Sequence, residues 1–139
     1  SDGSCVQIAK NFLLAKGFTV SVFSIDKEEL RDPSAYEDKT LTIYLANYPT
    51  ASNQVTTRIS WQKKHALDKP AFPHEKKYLF ISLANPFHLM DVSRANAYIN
   101  AYSASRVTIE EALKKSLGEE AFLGVNPVDP FCKLPDTRI

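Results

Sequence analysis

The chain has few glycines, no long apolar run and almost no net charge. Only 4 of its 139 residues are glycine, so no glycine-rich loop is available to cradle phosphates. This scarcity disfavours a nucleotide-binding domain. No apolar stretch approaches the roughly 20 residues that a membrane-spanning helix needs. The 17 basic and 16 acidic residues nearly cancel, which argues against nucleic acid, because its binding usually requires a basic face.

Metal and nucleophile motifs are also missing. The three histidines, His65, His74 and His88, are never three or four residues apart, so they form no helical metal pair. No serine lies in a G-x-S-x-G elbow. The sequence therefore predicts neither a metal nor a cofactor. Cys5 and Cys132 match no metal or redox spacing, and the sequence leaves open whether they are isolated thiols or a disulfide.

The acidic residues form no evident catalytic pair. Glu110 and Glu111, and likewise Glu119 and Glu120, are adjacent in sequence. Adjacent residues of a helix do not face each other. These carboxylates are predicted to lie on a solvated helix surface.

Helix and strand patterns alternate along the chain. A capping box at Ser4, apolar residues at helical spacing and a closing Gly17 predict a helix over residues 4–16. A second capping box at Thr108 predicts another helix, which runs to Leu117 and is closed by Gly118. Runs rich in β-branched and aromatic residues predict strands, at residues 18–25, 40–48, 78–84 and 97–102.

The remaining segments are less regular. Residues 54–61 alternate as a strand does, although a helix over residues 52–64 is the alternative, because it would complete a strand–helix–strand unit. Residues 26–32 predict a short surface helix or a turn, and residues 63–77 a loop. Residues 123–139, with three prolines, predict an extended C-terminal tail.

Together these elements predict one α/β sandwich domain over residues 1–139, with the sheet covered on both faces. The first element is a helix that would normally follow a strand in such a fold. We therefore expect that the first strand is missing and that the chain is a fragment of a larger protein. Loss of that strand would leave an unpaired sheet edge, which predicts association into a homodimer.

His88 follows directly after a buried strand. Ligands of open α/β sheets bind at the carboxyl ends of the strands, so His88 is a candidate for a functional contact. The alternative is that His88 anchors its own loop.

Two segments carry a specific resemblance: FISLANPFHLMDV at residues 80–92 and GVNPVDPFC at residues 124–132. Together with the strands and the second helix, they resemble the C-terminal domain of glycoside hydrolase family three β-N-acetylhexosaminidases of the bacterial lipoprotein type. The match covers nearly the whole chain from about residue 40 onward and is looser before it. The resemblance implies a flavodoxin-like layered sandwich with a mostly parallel sheet.

Members of this family place a (β/α)8 barrel ahead of the sandwich, and an Asp of the barrel is the nucleophile of a retaining mechanism. In related β-glucosidases the sandwich supplies the acid/base Glu from a loop after one strand. The comparable loop here reads PTASNQ at residues 49–54 and contains no Glu. This departure fits the hexosaminidase branch, in which a His-Asp pair on a barrel loop resembles the acid/base. No catalytic residue is therefore assigned to this chain.

The resemblance implies a non-catalytic domain that docks on the barrel of the same polypeptide. The parent enzyme is expected to act outside the cell or at its surface on cell-wall glycan fragments containing N-acetylglucosamine, as in peptidoglycan recycling, and the isolated chain is expected to be inactive. Asn47, Tyr48, Asn85 and His88 are the candidates to line the cleft or face the barrel. Asn85 has an alternative role as the cap of its own turn before Pro86.

A different class of function is a stand-alone carbohydrate-binding module without hydrolase activity. Such a module needs an exposed aromatic platform. The sequence offers Tyr48, Trp61 and Phe87 for that platform.

Overall fold

The computed structural model describes residues 3–23, 38–50, 52, 59, 77–92, 95–131 and 133. The elements are, in chain order, α1 (Gly3–Ala15), β1 (Thr42–Ala46), β2 (Tyr78–Ser82), a 3-10 helix (Pro86–Asp91), β3 (Ala97–Asn100) and α2 (Arg106–Ser116). Among these residues no helix is long and apolar enough to cross a membrane.

The three described strands form one parallel sheet in the order β1-β2-β3. Every residue of β2 is buried, as expected for a central strand of a parallel sheet covered on both faces. The prediction of an α/β sandwich with a parallel sheet is confirmed.

Alternate residues of β2 point to two different layers. Leu79 and Ile81 pack against α1 and α2 in an aliphatic core. Phe80 points the other way, into a smaller core with Ala46 and Val92. That second layer is rich in aromatic rings: Phe80 stacks on Tyr98 with centroids 5.6 Å apart.

Both helices end where the sequence predicts. Gly17 follows α1 with φ 87°, and Gly118 follows α2 with φ 77°, a backbone conformation that glycine adopts without a steric penalty. The start of α2 differs from the prediction. Ser105, and not Thr108, is the N-cap, and its Oγ accepts a hydrogen bond from Thr108 N at 3.2 Å, because the helix begins one turn earlier than the Thr108 capping box suggested.

The predicted strand at residues 18–25 is wrong over its described part. Residues 18–23 belong to no strand, because no described strand lies beside them to accept their backbone hydrogen bonds. The predictions for residues 26–32, 54–58, 60–61 and 63–76 lie outside the described residues.

The described part of the C-terminal tail has no regular structure over residues 121–127. Asp129 then closes a turn, because its carboxylate accepts from Phe131 N at 2.9 Å and from Lys133 N at 2.6 Å. Phe131 is buried and fixes this part of the tail to the domain. Cys5 is a free, buried thiol, and Cys132 lies outside the described residues.

Candidate functional site

The loops that follow the three strands meet at one edge of the sheet, which we call the carboxyl edge. The strands are parallel, so their carboxyl ends lie on the same side. Asn47 and Tyr48 follow β1, Asn85 and His88 follow β2, and Tyr102 follows β3. The structure thus places all four candidates from the sequence at the carboxyl edge.

Asn85 and His88 are buried and joined through Ser82. The Ser82 hydroxyl donates to the Asn85 carbonyl oxygen at 2.6 Å, and Ser82 Oγ lies 2.8 Å from His88 Nδ1. Because the only proton of that hydroxyl is used on Asn85, His88 donates from Nδ1. The three residues form a network that fixes the loop after β2.

The Asn85 side chain caps the 3-10 helix that follows it. Its Oδ1 accepts from Phe87 N at 2.9 Å, with Pro86 at the first helical position. This arrangement is the local role that an Asn before Pro predicts. Contact of the four candidates with a sugar or with a second domain stays a prediction.

Asn47 and Tyr48 are half-buried. Asn47 Nδ2 lies 3.8 Å from Cys5 Sγ, so the end of β1 touches the first turn of α1. The Tyr48 ring meets the His88 imidazole edge to face, with centroids 5.7 Å apart. The aromatic contact connects the loop after β1 to the network below it.

Tyr98 lies beneath these loops on β3. Burial raises the pKa of its hydroxyl to about 12, partly offset by the Ser82 side chain and the Leu89 backbone N–H, which stabilise the phenolate. The phenol therefore stays protonated throughout the physiological range.

Tyr102 is a further residue of the carboxyl edge, which the sequence analysis did not single out. Its backbone is left-handed, with φ 61°, and left-handed aromatic residues are uncommon and concentrate at functional positions. Its side chain is 44% exposed, and its hydroxyl donates to Asn126 Oδ1. Applying the strand-end rule to the third strand, as well as to the first two, would have found it.

The described carboxylates are already engaged in other contacts. Asp91 Oδ2 accepts from Ile59 N at 3.1 Å. On α2, Glu110 pairs with Arg106 at 2.8 Å, and a hydrogen bond from Lys114 lowers the pKa of Glu111. Within residues 3–23, 38–50, 77–92 and 95–131, no group of three His, Cys, Asp or Glu residues could hold a metal ion.

Comparisons with known proteins identify relatives of the chain. It is 41% identical over 99 residues to a "Beta-N-acetylglucosaminidase/beta-glucosidase" of Cellulomonas fimi, a match that covers 71% of this chain and 18% of that protein. It superposes on "Beta-glucoside phosphorylase BglX" with a TM-score of 0.72 and 34% identity, over 96% of this chain and 24% of that one. No family model matches the chain.

The chain is homologous to a C-terminal part of these family three glycoside enzymes. It spans about a fifth to a quarter of the length of the proteins it matches. The structural match confirms the fold class expected from the sequence.

Proposed function

We propose that this chain is the non-catalytic α/β domain of a retaining β-N-acetylglucosaminidase that acts on cell-wall glycan fragments. In this proposal it docks on a catalytic (β/α)8 barrel of the same polypeptide and contributes the carboxyl edge of its sheet to the substrate cleft. The name of the Cellulomonas fimi relative includes this activity, which supports the reaction class. An extracellular or cell-surface location belongs to the same proposal and is supported by the motif resemblance alone.

The observation that carries the proposal is the chemistry of the carboxyl edge. Beside the buried Asn85 and His88, it brings together the amide of Asn47 and the rings of Tyr48, Phe87 and Tyr102, which are at least partly accessible. Such groups are suited to hydrogen bonding and stacking with a sugar. The nearby Asp91 carboxylate is engaged with Ile59 N. The edge is therefore equipped to position a glycan, while the acid/base and the nucleophile come from elsewhere.

Docking on another domain is supported by an apolar strip in the tail. Phe122, Leu123 and Val125 are 56%, 88% and 90% exposed, although all three are large hydrophobic residues. Tyr102 donates a hydrogen bond to Asn126, which directly follows Val125, and this bond holds the end of the strip at the carboxyl edge. Contiguous exposed apolar side chains mark surfaces that pack against another protein surface.

The first experiment compares hydrolysis of p-nitrophenyl N-acetyl-β-glucosaminide by this chain and by the parent protein. The parent is expected to turn over the substrate and the chain alone to give none. Measurable hydrolysis by the chain alone would place the chemistry here and contradict the proposal.

A second experiment tests the cleft contribution in the parent protein. Tyr102→Ala is expected to raise KM about three- to tenfold, the range that loss of one aromatic contact of about 1 kcal/mol produces. Glu119→Gln, at the opposite edge of the sheet, is the matched control and should leave KM unchanged. An unchanged KM in both variants would contradict the proposal that the carboxyl edge contributes to the substrate cleft.

The exposed rings at the same edge favour one alternative, a stand-alone carbohydrate-binding module. Phe87 is 38% exposed and Tyr102 44% exposed, so two aromatic faces are accessible. Isothermal titration of this chain with N-acetylglucosamine oligomers distinguishes the two functions. Binding by the chain alone that is lost in Phe87→Ala would favour the module, and absence of binding would favour the docking domain.

A further inference from the structure

Tyr102 is an exposed aromatic residue whose backbone is fixed on both sides. It follows the last residue of β3 by two positions and is 44% exposed. On one side of it, Ala101 N donates to Ser82 O at 2.8 Å. On the other side, Ser105 N donates to Ser103 Oγ at 3.1 Å. Between these bonds Tyr102 has φ 61°, which is unfavourable for a residue with a Cβ. The turn therefore determines where the side chain leaves the backbone.

The far end of the same ring is held by the C-terminal tail. The Tyr102 hydroxyl donates to Asn126 Oδ1, across 24 positions of sequence. Because its single proton is used in this bond, the side chain offers a ligand the face of its ring and not a hydrogen-bond donor. A tyrosine that is held both at the backbone and at the hydroxyl has lost much of the rotamer freedom of a surface side chain.

The tail is itself anchored on both sides of Asn126. Before it, Lys115 Nζ donates to Ala121 O at 3.0 Å. After it, the Asp129 carboxylate closes the turn that carries the buried Phe131. These anchors hold the backbone around Asn126 in place, although its side chain is exposed. The tail therefore provides a fixed hydrogen-bond acceptor for the tyrosine hydroxyl.

A ring that stacks on a sugar benefits from being held before the sugar arrives. Binding to a mobile surface side chain costs the rotamer freedom that the side chain then loses, and a functional side chain is more precise when neighbouring hydrogen bonds lock its rotamer. Phe87, at the same edge, is 38% exposed but has no polar atom by which a neighbour could hold it. Tyr102 is thus an exposed ring of this edge with an orientation fixed in advance.

We propose that Asn126 is a positioning residue, which holds the Tyr102 ring so that its face stacks on the pyranose ring of an N-acetylglucosaminide. Asn126 acts only through the tyrosine hydroxyl and does not itself touch the sugar. This inference rests on the proposed function, because the sugar is the substrate proposed there. It extends that proposal by giving the C-terminal tail a part in substrate binding.

The first test observes the ring by fluorine NMR of the parent protein carrying a fluorotyrosine at position 102. In Asn126→Ala the fluorine line is expected to narrow and to move toward that of free fluorotyrosine, because the ring gains mobility. Asn126→Asp keeps an oxygen acceptor and should keep the original signal. Asn11→Ala is the matched control, since Asn11 is another exposed Asn that accepts a side-chain hydrogen bond, from Gln7. An unchanged signal in Asn126→Ala overturns the proposal.

The second test measures KM of the parent protein for p-nitrophenyl N-acetyl-β-glucosaminide. Asn126→Ala is expected to raise KM about two- to fivefold with kcat little changed, which corresponds to ordering one side chain on binding. Tyr102→Phe keeps the ring but removes the hydrogen bond, so it should have the same effect. Because both substitutions remove one interaction, KM of the double variant should equal that of either single variant.

The two proposals fail in different ways. If Tyr102→Ala leaves KM unchanged, the carboxyl edge does not contribute to the cleft, and the proposed role of this edge fails together with the sugar contact. If Tyr102→Ala raises KM but Asn126→Ala does not, the ring binds the sugar without help from the tail, and only the positioning role is overturned. A lower thermal stability of Asn126→Ala with unchanged KM would likewise show that Asn126 is merely structural.

Discussion

At the carboxyl edge of the sheet polar side chains are buried and bonded to one another, whereas at the opposite, amino edge they stay at the surface. Ser82, Asn85 and His88 are each less than about 5% exposed. At the amino edge, Lys16 pairs with Glu119 at 2.7 Å, with both side chains 38% exposed. A fold-stabilising network at the first edge and solvated ion pairs at the second should respond differently to mutation.

The largest effect is expected for His88→Ala. The substitution removes a fully buried ring and its hydrogen bond to Ser82, so the free energy of unfolding should fall by about 3 kcal/mol. Urea unfolding measures it. Ser82→Ala, which removes hydrogen bonds but little volume, should cost about 1 kcal/mol, and equal losses in the two variants would contradict the network described here.

At the amino edge the sensitive position is a glycine and not a charge. Gly118→Ala places a side chain at φ 77° and should cost about 1 kcal/mol, because left-handed backbone is strained for any residue with a Cβ. An added Cβ would meet no atom within 4 Å, so backbone strain is the sole cause. Gly124→Ala, which has equally open space without positive φ, is the control and should be neutral in thermal unfolding.

A pH effect of about 1 kcal/mol is expected at the carboxyl edge, less than the roughly 2.7 kcal/mol of a full two-unit pKa difference because solvent screens the partly buried phenol. The pKa of Tyr98 is raised to about 12 in the folded state, above the value near 10 of an unfolded tyrosine. The folded state keeps this proton where the unfolded state loses it, so this contribution is complete below pH 10 and is lost as pH rises from 10 to 12. Tyr98→Phe should flatten that decline in urea unfolding; an identical slope would contradict it.

The smallest effect is expected for the ion pair at the amino edge. Lys16→Ala should lower the free energy of unfolding by less than about 0.5 kcal/mol, because solvent screens an exposed pair. Added salt should erase even this difference. A loss of unfolding free energy above about 1 kcal/mol that does not depend on salt would be typical of a buried ion pair. It would contradict the description of the amino edge as solvated.

The sequence predicted those features that depend on local pattern or on burial. The strand cores at Thr42–Ala46 and Tyr78–Ser82 are nearly continuous apolar runs, and Gly17 and Gly118 end helices at the expected places. The Thr108 capping box was misplaced because Ser105 offers the same hydroxyl one turn earlier.

The features that the sequence did not predict depend on contacts between residues that are distant in sequence. Residues 18–23 have strand composition, but a strand forms only beside another strand, and local pattern cannot report its absence. At the site, the strand-end rule located Asn85 and His88, while their connection through Ser82 Oγ required the tertiary fold. The strand-end rule applied to the third strand reaches the position of Tyr102, whereas its left-handed backbone has no signature in sequence.

The position of Cys5 makes the reactivity of its thiol a measure of how often α1 detaches from the sheet. The thiol is 3% exposed beneath the first turn of α1, against Asn47 and the Ala104 carbonyl. A thiol-specific reagent can therefore modify it only when α1 lifts from the sheet. In a Cys132→Ser background, Cys5 is the only thiol left to label. The labelling rate then measures detachment of α1 under native conditions, without denaturant.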